Sequence, residues 1–301
     1  MLAAKSDSPV SVTADACVVI RAEAAASQDS HFLGDPHARL FVTDEGRRMA
    51  AMAKALDPVY VPYNLARYTW VAGRLAEALR RMPQVVLLGS GYDTRALSLF
   101  AGEGPDCHVF ELDFPATLDS KRAILTKHGI AFPSQHHLVP ADLTNPGLGA
   151  LLRAAGFAPE RPSFVLAEGV MFFLPPEAAA RLLEPAHLGL APGSTLLFDC
   201  WSNTRIRRLN AKVAAKTGRA LFAAPVLPDD PAELKRDLRA RGYDRVSVMP
   251  LRAIARSFGQ DVPDPTGAWR LVEAAMSGGH DRRGGEPSRD PVLLVPGLTP
   301  R

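Results

Sequence analysis

The spacing of apolar and polar positions changes once along the chain. From Thr13 to about Met82 apolar residues recur at helical intervals. Thr13-Ala14-Asp15-Ala16 reads as an N-cap ahead of an alanine-rich run, Asp35-Pro36 as the opening of a second helix, and Pro62 as the opening of a third that reaches Arg81 and stops at Pro83. Beyond Pro83 short apolar runs alternate with helical stretches. The runs are 85–88, 107–112, 137–140, 164–167 and 195–198, and they stop at Gly89, Asp113, Asp142, Glu168 and Asp199. Helical patterns occupy 94–101, 116–127, 148–155 and 176–191 between or after them. Strands alternating with helices of this length predict βαβ units and a parallel sheet. The tail predicts a helix over 232–241, a strand over 245–249, a helix over 268–276, a glycine-rich charged loop over 278–290 and a last strand at 292–295. The expected fold is α/β: a mostly parallel seven-stranded sheet with one antiparallel strand near its edge, helices on both faces, and an N-terminal helical cap over 1–82 ahead of an α/β unit over 83–301.

Composition narrows this little but excludes several classes. Of 301 residues 47% are hydrophobic and 22% charged, as in an ordinary globular protein, and 35 basic against 32 acidic residues leave a formal net charge of +3. That balance argues against nucleic acid as the partner. No apolar run reaches the roughly 18 residues of a membrane span, since the longest, 164–174, is broken by Glu168. The first residues lack the charged-then-apolar layout of a secretory leader, so a cytoplasmic protein is expected. Cys17, Cys107 and Cys200 are far apart and form no CxxC, which predicts three free thiols and no metal site.

The chemistry begins at Gly89-Ser90-Gly91, directly after the first apolar run. Two glycines let a nucleotide-like ligand approach the backbone. The third glycine of a dinucleotide fingerprint is missing, because Tyr92, Asp93 and Thr94 follow. A bulkier residue there crowds helix against strand and counts against NAD or FAD. Asp113 ends the second run about 20 residues on, where a carboxylate can accept both ribose hydroxyls. Asp142-Leu143 end the third run and suit an adenine, and Glu168 ends the fourth. Ligands of open α/β sheets lie beyond the carboxyl ends of the strands. Several acids converging there suit a sugar and a positive centre, as in S-adenosylmethionine, and would repel a diphosphate.

At Gly89-Ser90-Gly91-Tyr92-Asp93-Thr94-Arg95, Phe110-Glu111-Leu112-Asp113-Phe114-Pro115, Asp142-Leu143 and the stretch from Ala167-Glu168-Gly169 to Pro176, the chain resembles the leucine carboxyl methyltransferase-like family of class I S-adenosylmethionine-dependent methyltransferases. That branch includes bacterial O-methyltransferases of polyketide and other secondary metabolism. The resemblance implies the Rossmann-like fold of that class and S-adenosyl-L-methionine as cofactor. It implies that Gly89, Ser90 and Gly91 pass the cofactor, that Asp113 holds the ribose and Asp142 with Leu143 the adenine, and that Glu168 lines the methionine side. It further implies that Arg67 binds the methionine carboxylate, assisted by Arg21. The family often has an Asp five residues after that arginine, where this chain has Ala72.

The acceptor is less legible. None of the eight histidines is expected beside the site; His136 and His137 begin a strand and face away. Without a general base, an acceptor already ionised, a carboxylate, is favoured over a phenol or alcohol. Tyr60, Tyr63 and Trp70 on the third helix and Trp201-Ser202-Asn203 after the fifth run are candidate substrate contacts. Arg205, Arg207, Arg208, Lys212, Lys216 and Arg219 read as a solvated basic helix face, or as a surface for an acidic substrate or carrier protein. The leading expectation is a small-molecule O-methyltransferase. A protein C-terminal carboxyl methyltransferase, an NAD-dependent oxidoreductase and a non-catalytic ligand sensor are the alternatives.

Overall fold

The structure, a computed structural model, describes residues 9–27, 32–99, 107–223, 227–261, 263–264 and 268–278. Its elements in chain order are α1 (Pro9–Ala26), a 3-10 turn (Ala38–Phe41), α2 (Asp44–Leu56), α3 (Tyr60–Arg81), β1 (Gln84–Leu88), α4 (Arg95–Leu99), β2 (His108–Asp113), α5 (Pro115–Lys127) and β3 (His136–Pro140). There follow α6 (Leu148–Ala154), β4 (Ser163–Ala167), α7 (Pro176–Leu182), α8 (Pro185–Leu188), β5 (Thr195–Trp201), α9 (Asn203–Thr217), α10 (Pro231–Ala240), β6 (Arg245–Pro250), α11 (Leu251–Ser257) and β7 (Trp269–Ala275). The strands form one sheet in the order β3-β2-β1-β4-β5-β7-β6. Pairing is parallel from β3 through β5, and β7 runs antiparallel to both β5 and β6.

The strand alternation explains why both faces are covered. In β1 every residue is buried. Val85 and Leu87 join Val71, Leu75 and Leu79 of α3 in one core. Val86 and Leu88 face the opposite way and join Leu148 and Leu152 of α6, Leu182 of α7 and Leu234 of α10 in the other. Successive side chains of a strand point to opposite faces, so a sheet clad by helices on both needs continuous apolar strands.

Four expectations are corrected. Thr13 is not an N-cap, because α1 already runs from Pro9. Asp35-Pro36 leads into a single 3-10 turn, and the second helix starts after Thr43, whose Oγ1 accepts from Gly46 N at 3.0 Å. The helical stretch 176–191 is two helices, because Pro185 lacks the N–H needed to continue one and suits the first turn of the next. The segment 268–276 is a strand rather than a helix: seven of its residues pair with β5 on one side and six with β6 on the other. It therefore supplies the seventh strand, and the run 292–295 lies outside the described residues. Among the described residues no helix is long and apolar enough to cross a membrane.

Candidate active site

The carboxyl ends of β1, β2, β4 and β5 meet at one cavity of about 350 Å³. After β1 the chain turns through Gly89 (φ +65°) and Gly91 (φ +51°), a region that favours glycine. A Cβ at Gly89 would sit 2.6 Å from Val170 Cγ2, so the turn has room for hydrogen only. Asp113, at the end of β2, fixes the turn: its Oδ2 accepts from Gly91 N at 2.7 Å and its Oδ1 from Phe114 N at 2.7 Å. Burial pushes this carboxyl above its ordinary value, opposed by the two backbone N–H groups. The side chain of Thr117 also hydrogen-bonds this carboxylate, which leaves acceptor capacity for about one further donor from the cavity.

A buried strut supports the turn from behind. Lys121 of α5 donates both to the carbonyl of Asp93 and to Glu111 of β2, and His136 Nε2 lies 2.7 Å from Glu111 Oε1. Burial alone would raise the Glu111 carboxyl, yet Lys121 and His136 bring it down to about 2. His136 thus belongs to the strut, away from the cavity as expected.

Beside the turn lies a network of buried charges. Arg67 of α3 donates from Nε to Glu168 Oε1 (2.9 Å), from Nη1 to Asp199 Oδ2 (2.6 Å) and from Nη2 to Asn64 Oδ1 (3.1 Å). Glu168 also accepts from Arg95, which clasps Asp93, donates to Tyr68 O at 2.9 Å and lies 4.0 Å over the Tyr68 ring. Burial raises the Glu168 carboxyl, but Arg95 and Arg67 outweigh it and hold it below the usual range. Three of the five N–H groups of Arg67 are engaged, which leaves two for an anion. Gly169 adopts φ +71°, a region that favours glycine, and a Cβ there would only touch Arg67 at ordinary contact distance, 3.6 Å from Nη2. Arg21 donates to Tyr92 O at 3.1 Å and lies 3.9 Å from Asp35.

Arg21, Arg67, Gly89, Ser90, Gly91, Asp113, Asp142, Leu143, Glu168 and Trp201 all line this cavity. Tyr60 does too, but Tyr63 does not: it is fully buried and meets Trp269 edge-on at 6.1 Å. Trp70 is a core residue. Asp142 is exposed and accepts from Thr144 N and Oγ1, both at 2.8 Å. The basic run divides. Arg207, Arg208, Lys212, Lys216 and Arg219 are exposed, but Arg205 is buried, ion-paired with Asp57 and Asp264 and 4.8 Å over the Trp201 ring. Reading the run as one solvated face was wrong for Arg205, since an arginine is buried when acids and ring faces replace its water.

Sequence reasoning missed several members. Asp199 was visible as a strand-ending acid, but its bonds to Arg67, Gly169 N (2.6 Å) and Trp269 Nε1 (2.8 Å) were not. Arg95 and Asp93 stood in the turn motif without a role. Phe172 and Phe222, 6.0 Å apart, come from distant segments and carry no local signal. Among the described residues no cluster of His, Cys, Asp or Glu suits a metal ion.

Known proteins resemble this chain in sequence and in fold. Candidate S-adenosyl-L-methionine-dependent methyltransferases are similar over most of their length. One from Saccharopolyspora erythraea is 33% identical over 273 residues, covering 85% of this chain and 91% of that protein. One from Mycobacterium tuberculosis is 32% identical over 285 residues, covering 84% and 90%. Among solved structures, a candidate methyltransferase of Thermobifida fusca shares the fold at 17% identity, with TM-score 0.55 and coverage of 87% and 94%. A DUF574 family protein of Streptomyces avermitilis does so at 16% identity, with TM-score 0.56 and coverage of 86% and 96%. The family model described as leucine carboxyl methyltransferase matches residues 16–187, more than half of the chain. The chain belongs to the leucine carboxyl methyltransferase family of S-adenosylmethionine-dependent methyltransferases.

Proposed function

We propose that this methyltransferase methylates an oxygen of a small molecule, a carboxylate in preference to a hydroxyl, in secondary metabolism. The carrying observation is that one cavity joins two unlike halves. Its lining combines Gly89, Ser90, Asp113, Asp142 and Glu168 with Met49, Met52, Phe172, Trp201 and Phe222, and we assign the first set to one half and the second to the other. The first half suits the cofactor: Asp113 takes the ribose, Asp142 and Leu143 the adenine, Arg67 with Arg21 the methionine carboxylate, and Glu168 the methionine side. The second half takes the acceptor, with α1, α2 and α3 of the N-terminal region as the cap of the cavity.

Bound S-adenosylmethionine supplies a methyl group made electrophilic by a sulfonium. The chain's part is to hold the acceptor oxygen in line with that methyl, which alone accounts for much of the acceleration in such reactions. Tyr60 is unsuited to take a proton, since burial and the neighbouring Cys17 hold its phenol well above the ordinary value. Asp57 is committed to Arg205. A carboxylate needs no base, because it is ionised at neutral pH.

Calorimetry with S-adenosylhomocysteine on wild type and Asp113→Ala tests the cofactor half. A loss of about tenfold or more in affinity is expected, as for charge-assisted hydrogen bonds to a sugar. Full affinity in the variant would remove Asp113 from the site. For the acceptor half, kcat/KM for a carboxylate should stay level between about pH 6 and 9, because such an acceptor is already ionised and needs no base; a steep rise would mean that a titrating group of the protein is required and would overturn the base-free reading.

A further inference from the structure

The acceptor half carries more than general apolarity. Phe172 and Trp201 stack at 3.9 Å with their planes 14° apart. Phe222 meets Trp201 edge-on at 4.6 Å and lies tilted against Phe173 at 5.5 Å. All four rings line the cavity, with Met49 and Met52 of α2 lining it as well. Phe222 stands in a segment without regular structure, yet its backbone is pinned. Asn210 of α9 accepts from Leu221 N at 3.0 Å and Phe222 N at 2.9 Å, and donates to Phe222 O at 2.9 Å. Ala223 N donates to Phe172 O at 2.9 Å, so the segment is tied to the other end of the ring cluster as well. One amide side chain making three bonds to two adjacent backbone units sets the place of a single ring.

Flat faces and edges favour flat partners, through offset stacking and edge-to-face contact. Thioether side chains adapt to whatever shape the rings leave. We infer that the acceptor is a carboxylic acid whose apolar body is a planar ring system, and that Phe222, held by Asn210, is the specificity-determining wall that selects ring over chain. This rests on the reading of the cavity as a methyltransferase site with separate cofactor and acceptor halves.

The experiment uses 2-naphthoate and octanoate as probes, titrated into the full-length protein saturated with S-adenosylhomocysteine, on wild type, Phe222→Ala and Phe222→Leu. Affinity for S-adenosylhomocysteine is measured first in each. If wild type does not bind it, the methyltransferase reading itself has failed. If all three bind it equally, the cofactor half and the fold are intact and the probes report on the wall alone. The expected result is 2-naphthoate binding about tenfold tighter than octanoate in wild type, with that preference falling to about twofold or less in both variants, on the scale of one anchoring aromatic contact. Leucine serves as the second variant because it keeps a branched apolar side chain, with less volume lost than in alanine, and removes the flat face. Equal affinities for the two probes in wild type, no binding of 2-naphthoate to the loaded protein, or a preference that survives Phe222→Leu would each overturn the inference.

Discussion

The two halves of the cavity are built on opposite principles. In the half proposed for the cofactor, polar groups are tied to partners across distant segments: Arg67 reaches Glu168 and Asp199, Arg95 reaches Asp93 and Glu168, and Asp113 holds the turn. In the acceptor half, four rings and two methionines meet by packing, and the main polar tie is the Asn210 clamp on Phe222. A buried charge that loses its partner is costly, whereas an apolar wall can change shape at modest cost. The half proposed for the cofactor is therefore expected to resist substitution more than the half proposed for the acceptor.

The sharpest way to break this contrast is Arg67→Ala. It leaves Asp199, fully buried, and Glu168, nearly so, without one of their counter-ions. A loss of about 3–5 kcal/mol in stability is expected, typical of breaking a buried pair from one side. Urea denaturation of the variant beside Phe222→Ala measures the contrast directly, and similar losses in both would erase it. Next in size is the pH dependence of the strut. The Glu111 carboxyl falls from an ordinary 4.5 to about 2 in the folded chain. A depressed carboxyl contributes stability that is fully present above its unfolded value and is lost as pH falls through the folded one. The loss should fall between about pH 4.5 and 2 and be on the order of 3 kcal/mol. Urea midpoints across that range should show it in wild type and show less of it in Glu111→Gln; equal slopes would assign the acid sensitivity elsewhere.

Asp199→Asn is a smaller and more selective test. The variant keeps shape but puts an amide in place of one acceptor oxygen, so that it faces either Gly169 N at the Oδ1 position or Arg67 and Trp269 at the Oδ2 position. If Asp199 positions Arg67 for the methionine carboxylate, affinity for S-adenosylhomocysteine should drop about tenfold, the equivalent of about 1.4 kcal/mol. Affinity for 5′-methylthioadenosine, which lacks the carboxylate, should stay within about twofold. Equal losses for both ligands would mean that Asp199 is merely structural.

The contrast also explains what the sequence made legible. The cofactor half sits at strand ends, where apolar runs stop at glycines and acids. Gly89, Asp113, Asp142 and Glu168 could therefore be placed in one crevice before any coordinates. Arg67 lies on a long amphipathic helix that reads like any other, and it entered only through the family resemblance. Asp199 was seen as the end of a strand and not as a partner, because its role depends on contacts 30 and 132 residues away. The acceptor half leaves no trace of this kind. Phe172, Trp201 and Phe222 sit after β4, at the end of β5 and after α9, and nothing local says that they meet. Tyr63 was expected at the substrate and is buried core, since a helical aromatic stripe does not reveal which side faces a cavity. The strand at Trp269–Ala275 was read as a helix because its alternation is weak, and pairing on both sides decides the matter.

The smallest effect belongs to neither half but to the helix that borders the second. Leu209 and Val213 of α9 line the cavity, while Arg207 and Lys216 on the same helix are exposed. The segment 203–222 contains no acidic residue. Reversing Arg207 and Lys216 to Glu should leave stability within about 0.5 kcal/mol, as for surface changes away from the core. Cofactor affinity should be unchanged, because the cofactor half is reached through other elements. If the helix attracts an anionic acceptor, kcat/KM for a carboxylate should fall a few-fold at low ionic strength, mainly through slower association. The gap to wild type should then close toward about 0.5 M salt, where exposed charges are screened within a few ångströms. A neutral ester of the same acid, titrated as a competitor, should show no such dependence. An equal kcat/KM for the reversed and native helix at low salt would return α9 to a solvated face whose inner side alone matters.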